Sequence, residues 1–139
     1  MGLDLGSKRI GVAISDESGV VATPLLTIIR KGDTQDVKAI GEVISEYGVR
    51  GIVLGLPIDL EGKETPASRQ VRQLALELER ALGLPIRYWD ERFSTVQAER
   101  VLISANMRRN RRKQVIDQVA ATLILQTFLD AHCEAGDNR

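Results

Sequence analysis

Three acidic residues, far apart along the chain, occupy positions that could carry chemistry. Glu91 follows a predicted strand directly, at the end where ligands bind in open α/β sheets, although a solvated loop residue is the plainer alternative for it. Asp4 lies inside a short run of apolar residues and glycine, and Asp117 falls among apolar residues at helical spacing. Carboxylates are rarely buried without a partner, so the positions of Asp4 and Asp117 indicate either buried salt bridges or a shared cation. For Asp4 alone, an aspartate that accepts backbone hydrogen bonds at a strand end is the plainer alternative.

The chemistry open to these residues is narrow. Cys133 is the only cysteine and His132 the only histidine, and both lie near the C-terminal end of the chain. A thiol nucleophile, a histidine nucleophile and a cysteine-rich zinc site are therefore not expected. Oxygen ligands from Asp and Glu suit Mg²⁺ or Mn²⁺. We predict one of these cations as the cofactor, activating water for attack on a phosphorus centre with two ions about 4 Å apart.

A basic cluster is the most concentrated charge in the sequence. It consists of Arg108, Arg109, Arg111, Arg112 and Lys113. The formal net charge is zero, and 14 of the 19 basic residues remain to balance 19 acidic residues outside the cluster. Most charge runs are solvated surface, but a positive cluster just before Asp117, on a chain that is otherwise net acidic, favours contact with a phosphate backbone.

Other polar residues near the predicted site are further candidates for nucleic-acid contacts. They are Lys8, Arg9, Arg69, Arg92, Ser94 and Thr95. Aromatic residues that could stack on bases are scarce, with Trp89 and Phe93 the nearest to the site. Recognition by backbone shape and charge is therefore expected, rather than the reading of a base sequence.

The composition predicts a single globular domain. The chain has 139 residues, of which 43% are hydrophobic and 27% charged, values typical of a soluble protein large enough to bury a core. No segment is apolar enough to span a bilayer, and the N-terminus lacks the basic and apolar regions of a secretory signal. A reduced, cytoplasmic setting is the expectation. Nothing in the sequence predicts a dimer.

Strands and helices with short connections must position the acidic residues. The sequence predicts three strands joined by tight turns, at residues 2–6, 10–15 and 20–29. Strands connected in this way should form an antiparallel meander. The remaining elements, in chain order, are a helix around 37–47, a strand at 51–55, a helix capped by Thr65 and ended by Gly83, a strand at 85–89, a helix capped by Ser94 and Gln97, and a final helix at about 112–132.

This order predicts an α/β fold. A strand that follows a helix lies parallel to the first strand through a right-handed crossover. We therefore expect a mixed five-stranded sheet, three antiparallel strands and then two parallel ones, with helices on both faces. The domain should span residues 1–132, and residues 133–139 should form a disordered tail.

Four motifs resemble the YqgF/RuvX family, which belongs to the RNase H-like superfamily together with Holliday-junction resolvases. They are residues 2–13 (GLDLGSKRIGVA), 55–57 (GLP), 90–95 (DERFST) and 117–121 (DQVAA). The resemblance covers essentially the whole chain. One loop departs from it: the family often has Asn-Met-Asp-Gly where this chain has Asp59-Leu60-Glu61-Gly62.

The resemblance implies an RNase H-like fold and a metal-dependent nuclease in which Asp4, Glu91 and Asp117 are the catalytic, metal-binding acids. It implies structured RNA as the partner, with 5′-end processing of pre-16S ribosomal RNA as the reaction. Holliday-junction resolution on branched DNA is the alternative reaction.

Two hypotheses from other functional classes remain. An actin- or hexokinase-type phosphotransferase could use a hairpin like residues 4–12, but such enzymes close two domains on ATP, and this chain has room for one. A nucleic-acid-binding module without catalysis is the other. The presence of all three carboxylates favours the nuclease.

Overall fold

The computed structural model describes residues 1–93 and 109–134. A five-stranded sheet forms its centre, with the strands β1 Gly2–Leu5, β2 Arg9–Ser15, β3 Ala22–Ile29, β4 Ile52–Leu56 and β5 Ile86–Asp90. The sheet order is β3-β2-β1-β4-β5. The first three strands pair antiparallel, and β4 pairs parallel with both β1 and β5. The predicted mixed sheet is confirmed.

In the described part of the chain, three α-helices flank the sheet: α1 Asp33–Tyr47, α2 Pro66–Leu82 and α3 Arg109–Glu134, and a 3-10 turn, Glu91–Phe93, follows β5. The predicted cap of α2 is present, since the Thr65 side chain accepts a hydrogen bond from the Ser68 backbone while the Ser68 hydroxyl accepts one from the Thr65 backbone. Gly48 and Gly83 end α1 and α2 in the left-handed conformation, which costs glycine nothing. None of the described helices is both long and apolar enough to cross a membrane.

The last helix is longer than predicted at both ends. It begins at Arg109 rather than near Arg112, so most of the basic cluster belongs to its first turns instead of preceding it. It continues to Glu134, two residues into the segment predicted as a disordered tail. The predicted helix capped by Ser94 and Gln97 lies outside the described residues, as do residues 135–139.

Each face of the sheet has its own apolar core. Leu3, Ile10 and Leu54 point to one side, where they pack with the buried residues of α1 and α2. Ala13 and Val53 point to the other side and pack with the apolar residues of α3. Because successive side chains of a strand alternate between the two faces, Asp4 lies on the α3 side.

One edge of the sheet collects the ends of most elements. β3 runs parallel to β1 because both are antiparallel to β2, so β1, β3, β4 and β5 all finish at this edge. The helices α1 and α2 start there, after β3 and β4, and α3 starts there because Asp117 contacts Gly11 whereas Leu125 contacts Gly2. We call it the carboxyl edge. Helix N-termini carry partial positive charge, which favours anions at such an edge.

A buried ion pair fixes the turn between β1 and β2. The Arg30 guanidinium donates to Asp36 (Nε–Oδ2, 3.1 Å), to Asp33 (Nη2–Oδ1, 2.9 Å) and to the Gly6 carbonyl (3.2 Å). Its backbone N–H donates to the Lys8 carbonyl at 2.9 Å. The Asp36 side chain is 1% exposed. The turn that follows Asp4 is thus tied to the start of α1.

We expect Asp36→Ala to lower the free energy of unfolding by about 3–5 kcal/mol, because it leaves the Arg30 charge without its buried partner. Asp33→Ala is the matched control. It removes the other carboxylate on the same guanidinium, but its side chain is 27% exposed, so the loss should be about 1 kcal/mol or less. Chemical denaturation of both variants measures the difference; equal losses would show that burial of Asp36 is not the cause.

Candidate functional site

The site begins at Asp4, in the central strand. Asp4 is 3% exposed and pairs with Gly11 across the β1–β2 ladder. On the other side of Asp4, β1 pairs with β4 in parallel, with Leu3 opposite Leu54. One residue further along both strands, Gly55 lies next to Asp4. The carboxylate therefore stands between two glycines on the face that α3 covers.

Both neighbouring glycines lie directly beneath other parts of the protein. A Cβ atom added to Gly11 would lie 1.9 Å from the Asp117 carbonyl oxygen, so the backbone of α3 rests on β2 at this point. A Cβ atom added to Gly55 would lie 2.5 Å from the Ile124 Cδ1 atom and 3.1 Å from Glu91 Oε1. Any larger residue at either position would push these groups away from the sheet.

Asp4, Glu91 and Asp117 are thus brought to one face of the sheet at the carboxyl edge. Asp4 is central, the Asp117 backbone lies over the glycine on one side, and the Glu91 carboxylate lies over the glycine on the other. All three already have an interaction partner within the protein. Within residues 1–93 and 109–134, no three His, Cys, Asp or Glu side chains form a group that could hold a metal ion. The fold assembles the three positions but does not converge their oxygens.

Arg92, one of the predicted nucleic-acid contacts, has a partner within the protein. Its guanidinium donates to both carboxylate oxygens of Asp90, at 2.7 Å from Nη2 and at 3.0 and 3.1 Å from Nε. This guanidinium lowers the pKa of the Asp90 carboxyl, and the carboxylate in turn raises the pKa of Arg92. Arg92 therefore orders the segment after β5, directly beside Glu91.

The other basic candidates have different surroundings. Lys8 is exposed in the β1–β2 turn, Arg9 is half-buried at the start of β2, and Arg69 is exposed in the first turn of α2. All three lie at or near the carboxyl edge. Ser94, Thr95 and Arg108 lie outside the described residues.

The start of α3 carries an unusual charge. Arg109, Arg111, Arg112 and Lys113 occupy its first turns, which contain no acidic residue. Acidic residues are the ones that stabilise a helix N-terminus, so the helix dipole does not favour this arrangement. A positive helix start at the carboxyl edge is suited to binding an anion.

Trp89 is not available for stacking on bases. Its indole Nε1 donates to Thr127 Oγ1 at 2.8 Å, and its ring packs edge-on against Phe128 with centroids 5.6 Å apart. The residue connects β5 to α3. Its ring packs within the protein, which agrees with the expectation that recognition does not depend on aromatic stacking.

The glycines are the site residues that the sequence reasoning passed over. Gly11 and Gly55 each interrupt an apolar strand, which signals close approach of another backbone. Gly2 also lies against α3, since an added Cβ would be 2.7 Å from the Leu125 Cβ, whereas the nearest atom to a Cβ on Gly6 is the Arg9 carbonyl oxygen at 3.0 Å.

Comparison with known proteins identifies close relatives. A family described as "RuvX: Holliday junction resolvase" matches residues 1–131. Two curated relatives carry the name "Putative pre-16S rRNA nuclease". The protein from Cereibacter sphaeroides is 52% identical over 130 residues, which cover 94% of this chain and 81% of the relative. The protein from Moorella thermoacetica is 49% identical, with 94% and 93% covered.

Solved structures show the same fold at much lower identity. Thermus thermophilus RuvC in complex with a Holliday junction substrate matches with a TM-score of 0.60 and 12% identity, over 96% of this chain and 94% of that chain. A second structure of RuvC from the same organism gives a TM-score of 0.55. The fold is RNase H-like, as the sequence motifs implied.

Substitution of Gly11 tests the close contact beneath Asp117. We expect Gly11→Ala to lower the free energy of unfolding by about 1–3 kcal/mol, because the new methyl group must displace the backbone of α3. Gly51→Ala is the matched control, since its added Cβ would meet nothing closer than the Pro85 carbonyl oxygen at 3.7 Å. Amide hydrogen exchange should show faster exchange around Asp117 in the first variant only. Equal behaviour of the two variants would contradict the contact.

Proposed function

Because the chain belongs to the RuvX family of Holliday junction resolvases, we propose that it is a nuclease acting on structured nucleic acid, and that its reaction is 5′-end processing of pre-16S ribosomal RNA. The names of relatives about half identical to this chain support the choice of ribosomal RNA. The observation that carries the catalytic part is the burial of Asp4 in the central strand, flanked by two glycines that bring Asp117 and Glu91 to it.

The three acids are proposed as the catalytic residues and as ligands of Mg²⁺ or Mn²⁺. Their donors are all oxygen, which is what these cations prefer. A bound cation would activate the attacking water and stabilise charge on the phosphate oxygens. Asp4 is held in place by strand pairing on both sides of β1, Asp117 by its helix, and Glu91 by the turn that Arg92 orders. In the part of the chain that the structure describes, their side chains do not form a metal-binding group by themselves, so binding of the cation would require them to reorient.

Substrate binding is proposed for the basic residues around these acids. Lys8, Arg69 and the start of α3 place positive charge at the carboxyl edge, where the three helix N-termini also point. Phosphate contacts of this kind supply affinity and position without reading the base sequence. A chain with no net charge can therefore still bind nucleic acid at this one edge. A cytoplasmic setting accompanies this proposal.

Holliday-junction resolution is the second candidate reaction, supported by the likeness in fold to RuvC solved with a junction. A binding module without catalysis is the third possibility. Mapping the products on a precursor ribosomal RNA leader beside those on a four-way DNA junction separates the three. Defined cleavage of the leader alone supports the proposal, symmetric cleavage of the junction alone supports resolution, and binding without cleavage supports the module.

We expect Asp4→Asn, Glu91→Gln and Asp117→Asn each to lower the cleavage rate about 100-fold or more. Each exchange keeps the size of the side chain but removes a charge that the proposed cation needs. Calorimetry should show binding of Mn²⁺ by the wild type and at least about tenfold weaker binding by each variant. Chelation of divalent ions should stop cleavage by the wild type.

Asp130→Asn is the control for these three variants. Asp130 is an exposed aspartate on the same helix as Asp117, but it lies about 20 Å farther along at 1.5 Å per residue. Wild-type cleavage by Asp4→Asn would contradict the catalytic assignment. If the variants of the three acids bound Mn²⁺ normally but no longer cleaved, the acids would take part in cleavage without being metal ligands.

The basic start of α3 should determine how binding depends on salt. We expect simultaneous replacement of Arg109, Arg111 and Arg112 by Ala to weaken nucleic-acid binding. The plot of the logarithm of the binding constant against the logarithm of the salt concentration should also become shallower by about 2, because three phosphate contacts are lost. Replacing Arg50, Arg80 and Arg87 removes equal charge from exposed positions away from the carboxyl edge. That control should keep the wild-type slope. Identical slopes for both triple variants would show that the basic residues of α3 do not contact the phosphates.

A further inference from the structure

Leu60 is the most exposed large apolar side chain of the described residues. It is 99% exposed, whereas the next, Ile29, is 55% exposed. Single apolar residues on a surface are common and by themselves indicate nothing. Leu60 differs from the others because it gains no packing at all from the fold, and its position must therefore be held by something other than its side chain.

A hydrogen-bonded turn holds Leu60 in water. The Gly62 N–H donates to the Asp59 carbonyl, and the Asp59 N–H donates to the Lys63 carbonyl, both at 3.0 Å. The Asp59 carboxylate accepts from the backbone N–H groups of Glu61 and Lys63 at 2.9 and 2.8 Å. Gly62 has φ of 83°, a left-handed conformation that closes the turn. The backbone at Leu60 is therefore ordered although its side chain touches nothing.

The turn stands beside the candidate site. It follows β4, whose Gly55 lies beneath the Glu91 carboxylate. The Arg92 guanidinium passes within 3.7 Å of where a Cβ atom on Gly62 would be, and it is attracted by Asp59. On the other side, the Ser68 hydroxyl of α2 donates to the Pro57 carbonyl. The turn is thus anchored to the segment that carries Glu91 and to α2.

We propose that Leu60 is a wedge that enters the base stack of the substrate next to the bond to be cut. Apolar side chains that enter a base step unstack it partly and kink the helix. Insertion would move the apolar Leu60 side chain out of water, which is favourable. Because the turn is already ordered, binding does not have to pay the entropy of ordering it. Lys63, at the end of the turn, pairs with Glu61 (Nζ–Oε2, 3.4 Å). Because both side chains are exposed and such pairs are weak, the ammonium group can exchange Glu61 for the phosphate beside the opened step.

This inference rests on the proposed nuclease function and names a residue that sets substrate preference. A wedge favours substrates in which one base step is already weak, such as the boundary of a hairpin or the centre of a branched junction. Both RNA and DNA offer stacked bases of this kind, so the experiment carries one substrate of each type.

The test uses 2-aminopurine, whose fluorescence rises when it is unstacked. It is placed at successive positions across the boundary of an RNA hairpin with a 5′ extension, and across the centre of a four-way DNA junction. Complexes are formed with the full chain in Ca²⁺, and gels verify that the strands stay intact. We expect wild-type protein to raise the fluorescence at one position, and Leu60→Ala to remove most of that rise.

Cleavage in Mg²⁺ gives the second readout. We expect Leu60→Ala to lower kcat about tenfold with little change in KM, because the wedge distorts the substrate rather than holding it. Leu60→Met should restore both the fluorescence and kcat. Leu76→Ala is the matched control, since Leu76 is also an exposed leucine, at 50%, but lies within α2 away from the turn; it should behave as the wild type.

The outcomes separate this inference from the function on which it rests. Cleavage by the wild type with an equal fluorescence rise in Leu60→Ala, or with no rise in either protein, overturns the wedge and leaves the nuclease assignment standing. Failure of the wild type to bind or cut either substrate overturns both. The variant should remain folded because a fully exposed side chain has almost no packing to lose, and its thermal unfolding verifies this.

Discussion

The close contact between α3 and the sheet is the constraint on which the arrangement of the site depends. At Gly2, Gly11 and Gly55 the helix, or a side chain packed beneath it, occupies the volume that a methyl group would need. Only glycine permits this approach in three neighbouring strands. Because the helix lies so close, the backbone of Asp117 reaches Gly11, the residue that pairs with Asp4. The three acidic positions come to one face of the sheet because the residues between them are small.

The opposite face of the sheet is packed differently. There α1 and α2 pack on large aliphatic side chains, and the charged exception is the Arg30–Asp36 pair, which ties the β1–β2 turn to α1. That turn follows Asp4 and carries Lys8. The α1/α2 face therefore holds the larger aliphatic core and fixes the turn, while the α3 face combines a second apolar core with the acidic positions. This division allows a small domain to bury a carboxylate in its central strand without losing its core.

Much of the fold could be predicted from the sequence because the signals were local. Alternating patterns, the Thr65 cap and the closing glycines defined the strands and two helices, and the handedness of crossovers then fixed the sheet. The start of α3 was misplaced because arginine and lysine suit both a helix and a solvated loop. The contacts of Trp89 could not be predicted because its partners, Thr127 and Phe128, are distant in sequence. Asp4 and Asp117 stand out in the sequence by their apolar settings, and Glu91 by its place after a strand, whereas the orientation of their side chains depends on partners that no pattern shows.

The distribution of charge explains why the acids need not converge in the protein alone. Several carboxylates at one point repel one another unless a cation is present, and each of the three acids has an interaction within the protein. Positive residues lie around them, at the β1–β2 turn, on α2 and at the start of α3, and under the proposed function these would bind phosphates whether or not a metal is bound. Binding and chemistry would then be separable: the basic periphery brings the substrate, and the acidic centre completes itself only when a cation offsets its charge. A family relationship alone does not require this separation; it follows from the placement of opposite charges at one edge of the sheet.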